Sequence, residues 1–155
     1  DQMSQISQRS QKLKNELIQL IDADADSFKI VMDAYNMPKR TKNQITDRTI
    51  AIDHAMKEAT NIPFKTLKCC RDIMDVSLEA AQHGSPNSIS DAGVAGEMAN
   101  AGVHGAALNV FINLKEINDE KYCRIIEKKT YLIIDETNEL LVQLRETVEK
   151  VLNNG

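Results

Sequence analysis

The sequence predicts an all-α protein that forms a single helical domain over residues 1–155, because apolar residues recur at helical spacing along most of the chain. Only 4% of the residues are aromatic and none is Trp. The core must therefore be built from Leu, Ile, Val, Met and Ala, which suit helix packing. We expect a bundle of about five helices with long first and last helices, and no strand.

The first half of the chain predicts three helices. Apolar residues between positions 3 and 35 indicate one long helix, which the basic segment 36–41 ends at its proline. A second helix is predicted over residues 42–60. Pro63 should kink or break it, and a third helix should follow. Gly84 stands where a left-handed capping residue would close that third helix.

The second half predicts two more helices. Ser88 or Ser90 can cap the fourth helix after the loop at residues 84–87. One stripe of that helix carries small and apolar residues at helical spacing, namely Val94, Met98, Ala101, Gly105, Leu108 and Ile112. The last helix should open at Asn118 with acidic residues and reach Leu152.

Composition and charge exclude several classes of protein. The net charge of −4 provides no basic face for a phosphate backbone, so we expect no nucleic-acid partner. No apolar run approaches the roughly 18 residues that span a bilayer, so we expect no membrane segment. The three cysteines form neither a disulfide set nor a CxxC motif, which suits a reducing cytoplasm. The three histidines lack metal-ligand spacing, so no metal site is predicted.

Asp24 interrupts the apolar pattern of the first helix. It follows Leu17 by seven residues and precedes Val31 by seven, which places it on the face expected to be buried. A buried carboxylate needs a partner or a raised pKa, and proton transfer near neutral pH requires a raised pKa. Asp24 is therefore a candidate general acid or base. A structural ion pair or a solvated helix end fits the same pattern.

The fourth helix is crowded with Gly and Ala between residues 93 and 107. Glycine inside a helix costs about 1 kcal/mol relative to alanine, so it indicates close approach of a neighbouring helix or a flat ligand. Further along this helix, Asn109 and Asn113 lie one turn apart, with Lys115 beyond them. They form a second polar patch, about 27 Å from Asp91 at the start of the helix.

The loop before this helix concentrates polar side chains at a helix amino end, which favours acceptor or anionic groups. The residues are Ser85, Asn87, Ser88, Ser90 and Asp91. Capping explains one of them, so the others are candidate ligand-binding groups.

Four segments together resemble the formiminotransferase-cyclodeaminase family. They are Leu20 to Ala25 with Phe28, Met37-Pro38-Lys39, the run from Gly84 to Ala95, and Gly105 to Val110 with Ile112 to Leu114. They occur in the same order as in the family and cover almost the whole chain. The run Pro-Asn-Ser-Ile-Ser-Asp-Ala-Gly-Val, at residues 86–94, is the most specific of them. The resemblance is closest to the cyclodeaminase domain, which also occurs alone in bacteria.

The resemblance implies an all-helical, intimately dimeric enzyme of folate one-carbon metabolism. Its substrate is a tetrahydrofolate derivative, which it closes from formimino- to methenyl-tetrahydrofolate with release of ammonia. The family's catalytic aspartate corresponds to Asp24. Methenyltetrahydrofolate cyclohydrolase activity is the alternative reaction, and a non-catalytic helical dimerisation module is the alternative from a different class.

The resemblance also suggests how the substrate is held. Lys39 and Lys115 are candidates for binding its glutamate carboxylates, although both suit an exposed surface equally well. The polar residues of segment 85–91, together with Asn109 and Asn113, complete the predicted binding set. The family's usual glycine-rich opening, Pro-Gly-Gly-Gly-Ser, is not in this sequence. We therefore expect that an amino-terminal segment is missing.

Overall fold

The structure is a computed structural model that describes residues 2–153. The chain forms α1 (Gln2–Asn36), α2 (Lys42–His83), a short 3-10 turn (Pro86–Ser88), α3 (Ile89–Leu114) and α4 (Glu120–Asn153). The predicted all-α class is confirmed. The described residues contain four α-helices instead of about five. The predicted domain also includes Asp1, Asn154 and Gly155, which lie outside the described residues.

The count differs because α2 continues through Pro63, so the predicted break and restart of the helix there are wrong. A proline inside a helix leaves the carbonyl four residues earlier without its usual N–H donor. In α2 that carbonyl belongs to Ala59, and Nδ2 of Asn113 on α3 donates a hydrogen bond to it at 3.4 Å. A side chain of the neighbouring helix thus replaces the missing backbone donor, and the helix is maintained.

Two helix ends also differ from the prediction. Gly84 has φ −80° and ψ −178°, which is extended backbone, so the predicted left-handed cap is wrong. Its N–H still bonds to the carbonyl of Ala80 at 2.8 Å. Helix α4 begins at Glu120, two residues later than predicted. Oδ1 of Asp119 accepts a hydrogen bond from the N–H of Tyr122 at 3.0 Å and caps this end.

Helix α2 lies at the centre, because α1, α3 and α4 all pack against it. One core cluster joins α2, α3 and α4 and includes Met74, Leu78, Ala92, Leu141 and Leu144. Another joins α1, α2 and the turn after α3 and includes Val31, Ala34, Ala55, Met56 and Ile117. Three fully buried threonines, Thr60, Thr130 and Thr137, satisfy their hydroxyls by donating to the carbonyl four residues earlier.

Helix α3 buries several of its small residues, whereas its predicted stripe is exposed. A Cβ on Gly102 would lie 2.7 Å from Sγ of Cys70, and one on Gly96 would overlap Leu144. These two glycines confirm close packing between helices. The stripe from Val94 to Ile112 instead faces outward, with Met98 68% and Leu108 70% exposed. Over residues 2–153, no helix combines the length and apolarity needed to cross a membrane.

Candidate active site

A groove runs between α1 and α3, and α2 forms its floor. It consists of two adjoining cavities that share Asp24, Pro63 and Asn109 in their linings. One has a volume of about 620 Å³ and extends toward Lys14. The other has a volume of about 420 Å³ and extends toward Glu116. We call them the Lys14 cavity and the Glu116 cavity, and together the α1–α3 groove.

Asp24 lies in the middle of this groove. Its predicted burial is wrong for the single chain, because the residue is exposed. The helical register does place Asp24 in line with the buried Val31, but α1 and α3 leave a gap at this level. Exposed apolar side chains flank it on α1, including Ile21 at 69% and Phe28 at 63% exposure. The carboxylate is therefore open to a ligand and surrounded by apolar surface.

Asn109 and Asn113 lie on α3, and both line the Glu116 cavity together with Asp24. Nδ2 of Asn109 donates to the carbonyl of Gly105 at 3.4 Å, and Nδ2 of Asn113 donates to that of Ala59. Within residues 2–153, neither Oδ1 atom accepts a hydrogen bond. With the amide orientations recorded in the structure, both oxygens are available as acceptors.

Tyr35 and Glu116 form the far end of the Glu116 cavity. The Tyr35 hydroxyl donates to Oε2 of Glu116 at 3.3 Å. Arg48 donates from Nε and Nη2 to the Tyr35 carbonyl at 3.2 and 3.0 Å, and its guanidinium lies 5.6 Å from the centre of the Tyr35 ring. Burial of the ring and the nearby Glu116 charge both raise the pKa of Tyr35. The phenol therefore stays protonated and remains a donor to Glu116.

Neither Tyr35 nor Glu116 was among the site residues predicted from the sequence. A signal was present for Tyr35, because it follows Asp24 by eleven residues, which is three helical turns on the same face. Glu116 lies in the turn just after α3, outside any helical period. Only the packing of α1 and α3 against α2 brings it close to Tyr35.

The two ends of the groove differ in charge. The described residues lining the Glu116 cavity include two carboxylates, those of Asp24 and Glu116, and no Lys or Arg. The carboxyl end of α3 lies at the same end and adds the negative pole of a helix dipole. The Lys14 cavity has one basic side chain, Lys14, among its described lining residues. The Glu116 cavity thus favours cationic or donor-rich groups.

The polar residues predicted around the amino end of α3 lie outside this groove. Helical rise separates Asp91 from Asn109 by about 27 Å. Oγ of Ser85 caps the 3-10 turn by accepting from the N–H of Asn87 at 3.3 Å, whereas Ser88 precedes α3 without a side-chain capping bond. Ser90 lines a separate cavity of about 500 Å³ between α3 and α4. All five residues of this group, Ser85, Asn87, Ser88, Ser90 and Asp91, are exposed.

The two predicted lysines also lie outside the linings of the groove. Lys39 is exposed in the loop between α1 and α2, and Lys115 is exposed directly after α3. Lys14, which was not among the predicted site residues, lines the groove instead. In the part of the chain that the structure describes, no three His, Cys, Asp or Glu side chains are grouped so that they could hold a metal ion.

These features define a class of protein: a helical protein whose open groove carries a carboxylate at its centre, acceptors at one end and a lysine at the other. The Formiminotransferase-cyclodeaminase family profile matches residues 1–131. The chain therefore belongs to the formiminotransferase-cyclodeaminase family, which confirms the resemblance seen in the sequence.

Individual relatives agree with this assignment. The chain is 34% identical over 151 residues to a methenyltetrahydrofolate cyclohydrolase of Methylorubrum extorquens, a match that covers 97% of this chain and 73% of that protein. It is 34% identical over 107 residues to a formimidoyltransferase-cyclodeaminase of Rattus norvegicus, covering 69% of this chain but only 20% of the rat protein. The chain thus corresponds to about a fifth of that longer relative.

A solved structure has the same fold. The crystal structure of a formiminotetrahydrofolate cyclodeaminase from Thermotoga maritima superposes with a TM-score of 0.73 at 26% sequence identity. The superposition covers 98% of this chain and 70% of that chain.

Proposed function

We propose that this protein acts in folate one-carbon metabolism and closes formimino-tetrahydrofolate to methenyl-tetrahydrofolate with release of ammonia. The observation that carries the proposal is the position of Asp24, which among the described residues is the one carboxylate that lines both cavities of an elongated groove. The names of the cyclodeaminase relatives support the substrate and the reaction.

Asp24 is the proposed acid. One folate nitrogen attacks the formimino carbon, and the bond from that carbon to the departing nitrogen breaks. The departing nitrogen keeps its own imine hydrogen and receives the hydrogen of the attacking nitrogen. It needs one further proton to leave as ammonia, and Asp24 supplies that proton. The reaction then leaves the Asp24 carboxylate beside the methenyl cation, and their attraction stabilises the product-like transition state.

Hydrolysis of methenyl-tetrahydrofolate to formyl-tetrahydrofolate is the second candidate reaction. It is favoured by the Methylorubrum extorquens relative, which carries that name and is matched over 97% of this chain. In this reaction, water replaces the internal nitrogen as the attacking group. The same groove and the same carboxylate would serve as the site, with Asp24 accepting the proton of the water.

Absorbance at the methenyl-folate band tests both candidate reactions. The band should grow with formimino-tetrahydrofolate as substrate, or decay with methenyl-tetrahydrofolate. We expect Asp24→Asn to lower the rate about 100-fold or more, as loss of a general acid or base does. Asp22→Asn is the matched control, because Asp22 is exposed two residues away and does not line the groove. Wild-type protein that changes neither substrate would refute the proposal.

We also propose that two copies of the chain pair through the outward-facing stripe of α3. The stripe is apolar, long and exposed, and its centre consists of the small residues Ala101 and Gly105, which allow backbones to approach closely. It borders the wall of the groove formed by Asn109. A second copy on this face would remove water from the surroundings of Asp24.

A further inference from the structure

We propose that the α1–α3 groove binds a folate-type ligand in one direction, with the aminopyrimidine edge at Glu116 and Tyr35 and the glutamate carboxylates at Lys14. This inference rests on the proposed function and adds to it the direction of binding and three binding residues. It follows from the unequal chemistry of the two ends of the groove.

Glu116 matches the donors of an aminopyrimidine. The reduced pterin ring presents an amino group and a neighbouring ring N–H side by side, and a carboxylate can accept both in parallel. Oε2 of Glu116 is held by the Tyr35 hydroxyl at 3.3 Å, and Oε1 accepts no hydrogen bond from residues 2–153. Arg48 in turn holds Tyr35, because it donates a hydrogen bond to the Tyr35 carbonyl and its guanidinium lies over the Tyr35 ring. The carboxylate is thus positioned and still has unused acceptor capacity.

Apolar and acceptor groups continue from Glu116 toward Asp24. The walls of the Glu116 cavity include Phe28, Met32 and Pro63, whose side chains offer flat or deformable apolar surface to a ring. The Oδ1 atoms of Asn109 and Asn113 add two acceptors on the α3 side. A ring with apolar faces and a donor-rich edge fits this lining, and a carboxylate does not, because Asp24 and Glu116 would repel it.

The opposite end suits an anion. Lys14 donates one hydrogen bond to Oε1 of Gln11 at 2.6 Å, which leaves two of its three ammonium hydrogens for a ligand. Along α1, Lys14 lies ten residues before Asp24, and Tyr35 lies eleven residues after it. At about 1.5 Å per residue, these separations are about 15 and 16 Å. Asp24 therefore lies between the two ends of the groove along α1, with Lys14 on one side of it and Tyr35 on the other.

Two ligands distinguish the contributions of the two ends of the groove to binding. They are tetrahydrofolate and 6-methyltetrahydropterin, which lacks the p-aminobenzoyl-glutamate tail. Calorimetric titration should show that Glu116→Gln weakens both ligands by about tenfold or more, because a charged acceptor is lost. Lys14→Gln should weaken tetrahydrofolate by about two- to fivefold and leave the pterin unchanged. Tyr35→Phe should weaken both ligands by less than Glu116→Gln does.

Matched controls are available at both ends. Glu120→Gln removes an exposed charge four residues from Glu116, and Lys12→Gln removes one two residues from Lys14. Neither control residue lines the groove. Both should leave the two affinities unchanged.

A third ligand reports on the contact itself. Tetrahydrolumazine carries an oxygen in place of the pterin amino group, so the wild-type carboxylate should bind it more weakly than the pterin. Glu116→Gln should reduce the preference for the pterin over tetrahydrolumazine, because the glutamine amide can donate a hydrogen bond to the lumazine oxygen. If Glu116 had only a structural role, Glu116→Gln would weaken the binding of both rings by the same factor.

The outcomes separate this inference from the proposed function. If Lys14→Gln weakens the tail-less pterin, or Glu116→Gln weakens only the tailed ligand, the direction is wrong while folate binding stands. Wild-type binding that no groove variant changes also refutes the inference. Wild-type protein that binds neither tetrahydrofolate nor the pterin would refute the proposed function as well.

Discussion

Lys57 connects the middle of α2 to the start of α4 through charged contacts. Its Nζ lies 2.9 Å from Oδ2 of Asp53 and 2.9 Å from Oδ2 of Asp119. It also lies 5.5 Å from the centre of the Tyr122 ring. Asp53 also accepts a hydrogen bond from the N–H of Asn118, and Asp119 accepts one from the N–H of Tyr122. Each carboxylate therefore contacts both a backbone N–H and the Lys57 ammonium. These contacts hold the turn between α3 and α4 against α2, next to Glu116.

This cluster should make stability depend on pH. The hydrogen bond from Lys57 lowers the pKa of Asp53, and the Tyr122 N–H together with Lys57 lowers the pKa of Asp119 below the usual 3.8. Groups with lowered pKa stabilise the fold above their unfolded pKa, and that contribution is lost as pH falls through the folded value. We expect Lys57→Met to lower the melting temperature by a few degrees at pH 7, with the deficit shrinking below about pH 4.

Circular-dichroism melting from pH 7 to pH 3 measures this effect. Lys128→Met, at an exposed position of α4 without an ion pair among the described residues, is the control and should leave the profile unchanged. A deficit for Lys57→Met that stays constant over the whole range would show that the two carboxylates do not contribute through their charge.

At the scale of elements, α3 shows that glycines in one helix have different roles. Gly96 and Gly102 permit contact with Leu144 and Cys70, respectively. At Gly105, no described atom from outside its own stretch of helix lies within 4 Å of the position that a Cβ would occupy. The composition of the helix indicated close packing or a flat ligand. It could not tell which glycine meets which neighbour, because that depends on the rotation of α3 against α2 and α4.

Two alanine substitutions in α3 should therefore have opposite effects. We expect Gly96→Ala to destabilise the fold by about 1–3 kcal/mol, because its Cβ would overlap Leu144 in the core. Gly105→Ala should stabilise an isolated chain by up to about 1 kcal/mol through helix propensity. Urea unfolding of both variants measures the difference. A loss of stability in Gly105→Ala at dimer-forming concentrations, but not under dissociating conditions, would indicate that a partner copy approaches this glycine.

At the scale of the whole molecule, the exposed apolar residues are grouped. Two groups follow the outer stripe of α3 and the side of α1 beside Asp24, and further exposed apolar residues lie on α2 and α4. A single chain thus exposes a surface of the kind that subunits bury in an oligomer. The helical period of the sequence correctly identified the stripe of α3 as one apolar face. It could not show that α2 and α4 cover the opposite face of α3, because both faces are free of charged residues at most positions.

We expect Leu108→Glu to disrupt the proposed pairing of two copies. It places a charge in the middle of the stripe, at a position that is 70% exposed in the single chain, so the isolated fold should tolerate it. Sedimentation velocity should show a dimer for the wild-type protein and a monomer for the variant. Ala95→Glu is the control, because Ala95 is exposed but rotated about 100° from the stripe. A wild-type protein that is monomeric at micromolar concentration would contradict the pairing.

The sequence by itself determined the helical class, the long first and last helices and the family, because these depend on local periodicity and on short contiguous motifs. It also placed Asp24 on the same face of α1 as Leu17 and Val31. Tertiary structure decided what Asp24 meets: α1 and α3 pack on α2 without closing over it, so the residue lies in an open groove. Tertiary structure also decided that α2 continues through Pro63, because the replacement donor, Asn113, comes from another helix. It brought Glu116 to Tyr35 and left the segment at residues 85–91 at the far end of α3. Contacts between residues distant in sequence carry no period that a linear pattern could reveal.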